Sequence, residues 1–175
     1  MIDDVGNDCL VSVDGTDLPI QEQSPWSKKW YSHKFKGPGL RYKIAIAIRT
    51  GLIVWINGPF PCRSFPDLKI FRNGLQGMLG ENERVEADAG YVGCDPEFAK
   101  TPKSCFVRED CKKLQNRVQA CQETVNKRFK QFSILKQRFC HDLDFHKIVF
   151  EAIAVITQLS ILSGESLFEV PDYID

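Results

Sequence analysis

Arg41-Tyr42-Lys43-Ile44-Ala45-Ile46-Ala47-Ile48-Arg49-Thr50-Gly51-Leu52-Ile53-Val54-Trp55-Ile56-Asn57 decides the fold class. Tyr42, Ile44, Ile46 and Ile48 fall at every second position, the period of a strand with one buried face. Thr50-Gly51 supplies a tight turn, and Leu52 to Asn57 returns as a second β-rich run, so the stretch predicts an antiparallel hairpin. Gly58-Pro59-Phe60-Pro61 is expected to end it. Upstream, Gly37-Pro38-Gly39 predicts a turn, and Cys9 to Val13 a short buried strand. Asp17-Leu18-Pro19-Ile20 opens a further extended piece, and Gln21 to Tyr31 reads as irregular. Downstream, Pro66-Asp67 begins a helix reaching about Leu75, with proline tolerated in the first turn. Arg84 to Ala87 is a short strand followed by a turn at Gly90. Asp95 to Ser104, with two prolines, is a loop.

From about Arg108 to Phe139 the pattern predicts one long helix. Leu114, Val118, Cys121, Val125, Phe132, Leu135 and Phe139 recur at three- and four-residue steps, as a core-facing stripe does. Glu123 lies on the other side. At 100° per residue, Lys112, Asn116, Gln119, Lys127 and Lys130 fall within about 40° of it. A carboxylate and lysines on one stripe suit a metal ligand beside phosphate contacts; a solvated face with an i,i+4 pair gives the same pattern. Ile148 to Leu162 reads as a buried helix, interrupted by Glu151 and Gln158 and short for a membrane span.

At 175 residues the chain is long enough for one sizeable core, and positions 1–175 read as a single domain with its core over about 9–140 and a C-terminal helix over about 145–162. Formal net charge is zero, so overall charge points to no partner. Its distribution is uneven. Positions 1–20 hold five aspartates and no Lys or Arg, whereas 27–49 hold seven basic residues and no acid. Acidic and basic patches side by side suit a metal site flanked by phosphate contacts. The seven cysteines form no C-x-x-C, so zinc-ribbon spacing is missing. Reduced thiols and an intracellular, non-secreted protein are expected. No P-loop or Gly-x-Ser-x-Gly motif occurs.

Three acids stand out by context. Asp14 closes the Cys9–Val13 run and precedes Gly15-Thr16; Asp88 closes Val85-Glu86-Ala87 and precedes Ala89-Gly90-Tyr91; Glu123 sits inside the long helix. Two strand ends and a helix can bring carboxylates to one point, and such hard oxygen donors suit Mg²⁺ or Mn²⁺. Asp17, Glu86 and Asp67 compete for these roles. Asp67 at a helix start is also ordinary capping chemistry.

The ordered series carries a family resemblance. Val13-Asp14-Gly15-Thr16 and the run Trp30 to Tyr42, then Phe65-Pro66-Asp67-Leu68-Lys69-Ile70-Phe71-Arg72, Ala87-Asp88-Ala89-Gly90-Tyr91, and Arg117 through Glu123 to Leu135 resemble the nuclease domain of PIF/Harbinger-type DDE transposases. The likeness runs from about Cys9 to about Phe139. It implies an RNase H-like α/β fold, a mixed sheet flanked by helices, its first three strands an antiparallel meander, with the catalytic Glu on the long helix. It implies Asp14, Asp88 and Glu123 as catalytic metal ligands in a two-metal Mg²⁺ or Mn²⁺ site that cuts and joins DNA. Lys34, Lys36, Lys127 and Lys130 are expected to touch phosphates, positioning DNA without reading its sequence. Implied partners are transposon ends, target DNA, a Myb-like DNA-binding protein and a second copy of the chain, with no membrane. Implied location is the nucleus in a eukaryote and the cytoplasm otherwise. Members of that family carry a helical DNA-binding region ahead of this point, so its absence here leads us to expect a fragment, a truncated copy or an excised domain. Two alternatives stand beside the nuclease: a non-catalytic transposase-derived DNA-binding or protein-interaction module, and another RNase H-like nuclease acting on RNA or hybrids.

Overall fold

The computed structural model describes residues 9–94, 97–102, 109–165 and 167; within these, the side chains of 109–112 and 114 are not described. The chain forms a mixed α/β architecture. Its strands are β1 (Cys9–Pro19), β2 (Tyr31–Ser32), β3 (Gly37–Ala47), β4 (Ile53–Pro61), β5 (Arg84–Glu86) and β6 (Ala99–Lys100). Its helices are α1 (Asp67–Arg72), α2 (Glu109–Gln131), α3 (Ser133–Lys136) and α4 (Leu143–Leu162). β1, β3 and β4 form an antiparallel meander, and β5 then β6 extend it in parallel on the other side of β1. β2 pairs with the start of β3.

The alternation in β3 divides the core as expected. Tyr42, Ile44 and Ile46 face α2, α3 and α4, packing with Val125, Phe129, Leu135, Phe150 and Ile153. The intervening Ala45 faces the opposite layer, with Val13, Phe71, Leu75, Val85 and Tyr91. Both faces of the sheet are therefore covered, and charged residues on β3 must lie inside the protein.

Several boundaries move. Gly37-Pro38-Gly39 is not a turn but the start of β3; the chain reverses over 33–36, with Lys36 at φ +54°. A Cβ at Gly39 would overlap the Phe35 ring, so the missing side chain is what lets Phe35 fold over the strand. β1 is one continuous strand rather than two pieces. β4 runs on to Pro61, because a register shift opposite Arg41 and Lys43 lets Gly58 and Pro59 bulge out of the ladder. The helix expected to reach Leu75 stops at Arg72, and Leu75–Met78 forms a separate 3₁₀ turn. The short strand β6 falls inside the expected loop over 95–104.

The helix expected to reach Phe139 breaks at Phe132, whose ψ is 115°. Beyond the break the chain forms the short α3, and Phe139 then pairs with Ile20, donating its N–H to the Pro19 carbonyl at 3.0 Å. The start expected at Arg108 lies outside the described residues, as does the Leu114 side chain. Val118, Cys121, Val125, Leu135 and Phe139 are buried, and Phe129, outside the expected stripe, is fully so.

α4 is not a wholly buried helix. His146, Phe150, Ile153, Ala154, Thr157 and Ile161 face the core, while Ile148, Val155, Leu159 and Leu162 are each more than half exposed. At 20 residues with mean hydropathy 1.5 over its most apolar window, it is long and apolar enough to cross a membrane by length and composition alone, contrary to the shorter span expected.

His146 gives this packing a pH dependence. Its Nδ1 lies 2.8 Å from the Tyr42 hydroxyl, and burial pushes its pKa down from 6.5 to about 4. The unfolded chain therefore takes up a proton that the folded chain refuses, so this stability is complete above pH 6.5 and is lost as pH falls towards 4. Thermal melts should show a steeper fall in Tm from pH 7 to pH 4.5 in the wild type than in His146→Gln. Equal slopes would mean that another group sets the acid limit.

Candidate active site

A cleft of about 340 Å³ opens between the middle of β1, the end of β5 and α2. Asp14, Asp88 and Glu123 all line it, together with Glu86, Lys34 and the α2 residues Gln115, Gln119 and Gln122. Each acid arrives by a different route. β1 residues of even number face α2: Ser12 accepts a hydrogen bond from Gln122 Nε2 at 2.6 Å, and Asp14 Oδ2 accepts one from Asn126 Nδ2 at 3.0 Å. These two bonds, one helical turn apart, fix α2 against β1 and bring Glu123, beside Gln122, to the rim. Asp14 Oδ1 also accepts from the Gly15 N–H at 2.6 Å. Asp88 stands just beyond β5, its Oδ1 accepting from the Gly90 N–H at 2.9 Å.

The position of Glu123, nearly opposite the apolar stripe, is thus compatible with cleft access, because polar Gln115 and Gln122 share the buried side of α2 with Val118 and Val125. Glu86 is also in the cleft, 4% exposed, with Gln115 Nε2 3.4 Å from its Oε2. Asp17 is excluded from the cleft by its partners. It is buried and receives Arg41 Nε at 2.7 Å, Arg41 Nη2 at 3.0 Å and the Ser32 hydroxyl at 2.5 Å. Burial works to raise its pKa, and these donors overcome that and hold the carboxyl below its ordinary value.

Of the expected phosphate contacts, Lys34 lines the cleft and donates from Nζ to the Gly15 carbonyl at 2.8 Å. Lys36, Lys127 and Lys130 are exposed and do not line it. Trp26 is 56% exposed, whereas Trp30 packs against the core.

The carboxylates share a cleft without forming a closed ligand group. Among the described residues no three His, Cys, Asp or Glu side chains are close enough together to hold a metal ion. The donor set is nonetheless chemically suited to a hard divalent cation: carboxylate oxygens, with neither thiols nor imidazoles lining the cleft.

On the opposite face of β1 lies a second charged cluster that the sequence pattern did not reveal. Lys43, 1% exposed, sits 2.6 Å from Asp67 Oδ1, and Arg41 Nη1 lies 3.5 Å from Asp67 Oδ2. The Lys43 ammonium also stands 4.8 Å from the centre of the Tyr91 ring. Burial pulls the Lys43 pKa down, with Asp67 first among the charges opposing it. Lysine at an inward position of a strand covered on both faces was the available signal, since such a charge needs a partner.

Gly15 sits directly on this pair. A Cβ there would stand 2.5 Å from Asp67 Oδ1 and 2.9 Å from Lys43 Nζ. Gly15→Ala should therefore cost about 1–3 kcal/mol in urea denaturation, the usual cost of overpacking. Much of that loss should return in an Asp67→Ala background; no recovery would place the strain elsewhere.

No protein family, curated protein or solved structure matches the chain.

Proposed function

We propose that this protein is a divalent-metal-dependent phosphodiester endonuclease of RNase H-like fold, acting on DNA as the nuclease domain of a Harbinger-like transposase. The observation that carries the reading is the meeting of Asp14, Asp88 and Glu123 in one cleft, from the middle of β1, the turn after β5 and α2. The meander β1–β3–β4, with parallel β5 and β6 beyond β1 and helices on both faces, supports the fold assignment.

Asp14, Asp88 and Glu123 would hold Mg²⁺ or Mn²⁺, and the cation, when bound, supplies Lewis-acid activation of a phosphodiester and a bound water of lowered pKa. The chain's own residues supply the rest. Asn126 and the Gly15 N–H orient the Asp14 carboxylate, and the Gly90 N–H orients that of Asp88. Glu86 adds a fourth acid to the wall, and Lys34 a positive charge. The lysine suits a backbone phosphate entering the cleft, and Lys127 and Lys130 extend basic charge along α2. Such contacts favour a nucleic acid over a small anion without selecting a sequence. Self-association and a Myb-like partner belong to this reading, as does a nuclear location in a eukaryotic host.

Supercoiled plasmid tests it. The wild type should nick DNA in Mn²⁺ and not in chelator, and Asp88→Asn should lose nicking while keeping its circular dichroism and Tm. Cleavage by Asp88→Asn at the wild-type rate would remove Asp88 from the chemistry. A folded wild type inert in Mn²⁺ would favour the non-catalytic module.

A further inference from the structure

We infer that the Lys43–Asp67 pair is a positioning device for the acidic cleft, seating the segment of β1 that carries Asp14 and the turn that carries Asp88. The inference deepens the nuclease reading and rests on it for the roles of those two acids.

Two contacts tie the pair to the cleft from behind. The first is Gly15, one residue beyond Asp14, where a Cβ would stand 2.5 Å from Asp67 Oδ1 and 2.9 Å from Lys43 Nζ, so the pair packs directly on the strand backbone. The pair thus abuts the backbone whose N–H orients Asp14. The second is Tyr91, in the turn after Asp88, whose N–H bonds the Asp88 carbonyl at 3.1 Å and whose ring takes the Lys43 ammonium 4.8 Å from its centre. One ammonium thus serves both acid-bearing segments.

The same cluster explains how two elements far apart in sequence stay in register. Arg41 is shared between Asp17 on β1 and Asp67 on α1, at 2.7 Å and 3.5 Å. Lys43, two residues along β3, pairs with Asp67. α1 thereby pins β1 and β3 at the level of Gly15 through a buried ammonium and a partly exposed carboxylate beside an otherwise apolar layer. Buried charged pairs are inefficient as sources of stability and well suited to fixing one geometry. Asp67 is therefore a positioning residue, acting on Asp14 through Gly15 rather than touching substrate.

Amide hydrogen exchange in metal-free, chelator-containing buffer tests this, on the full chain as wild type, Asp67→Asn and Lys43→Met. The expected result is local: the Gly15 and Gly90 amides exchange about tenfold faster, while the ladder amides of Ala47 and Val85 keep their wild-type rates. A uniform acceleration at all four sites, or none, would overturn the inference by making the pair purely structural or inert. Asp67 is partly exposed, so Asp67→Asn carries the test if Lys43→Met does not fold. A parallel Mn²⁺ titration should show about tenfold weaker binding in Asp67→Asn. Unchanged or tighter binding would count against it, and Lys43→Met separates positioning from charge: losing a merely repelling ammonium would tighten Mn²⁺ binding, whereas losing the brace weakens it. The exchange readout needs no metal, so a wild type that fails to bind Mn²⁺ sinks the nuclease reading and leaves the positioning result to stand or fall separately.

Discussion

Asp14→Asn is expected to abolish Mn²⁺-dependent nicking, by about 10³-fold or more, which corresponds to roughly 4 kcal/mol of lost transition-state stabilisation. The substitution is chosen to spare the fold. An asparagine oxygen still accepts from the Gly15 N–H, as the carboxylate does at 2.6 Å. Only the bond from Asn126, 3.0 Å from Oδ2, must reorganise, and it lies at a partly exposed edge. Stability should therefore change by no more than about 1 kcal/mol, the worth of one ordinary hydrogen bond. What disappears is the charge, and a hard cation depends on charged oxygen donors far more than on neutral ones. Plasmid nicking measured beside urea denaturation separates the two effects. Loss of nicking at unchanged midpoint supports a role in chemistry; retained nicking removes Asp14 from it.

The largest stability effect is expected at Phe150. Its ring stacks on Tyr42 with centroids 3.8 Å apart and on Phe129 at 5.0 Å, and it is fully buried. It thus joins three elements at once: β3, α2 and α4. Phe150→Ala removes both stacks and leaves a cavity at the junction, at a cost of about 3–5 kcal/mol. That is a large part of the usual stability of a domain this size. Because α2 carries Glu123 and is braced by this junction, the variant should lose Mn²⁺ affinity as well as stability. A urea midpoint close to wild type would show that α4 is not the brace described.

The hairpin and the helix stripe were legible because each depends on one local period. Tyr42, Ile44 and Ile46 are buried on one face as the alternation required, and Val118, Cys121 and Val125 on another at helical steps. Turn chemistry was less legible. Gly37-Pro38-Gly39 carries a strong turn signal, yet its second glycine serves a close approach by Phe35 within a strand. The extended pairing of Phe139 is not readable locally, because its partner Ile20 is far away in sequence. The outward face of α4 was hidden by uniform hydrophobicity, which marks a helix without saying which side is covered.

In the site, strand and helix context points to Asp14, Asp88 and Glu123, and the chain brings them to one cleft, although Asp14 lies within the continuous β1 and not at a strand end. Only Lys34 of the four expected phosphate contacts lines it, since helix phase alone does not fix distance to a cleft. The Lys43–Asp67 pair went unseen for a related reason. Asp67 at a helix start has a sufficient local explanation in capping, and only the sheet register shows that β3 delivers a lysine to it.

Calorimetric titration of Mn²⁺ into the purified wild-type chain, with Asp14→Asn alongside, tests the central claim most directly. Saturable binding in the wild type that is lost in Asp14→Asn, with both chains folded by circular dichroism, is the expected result. A folded wild type that takes up no Mn²⁺, or one whose binding survives Asp14→Asn unchanged, would contradict the assignment of this cleft as a metal-dependent nuclease site.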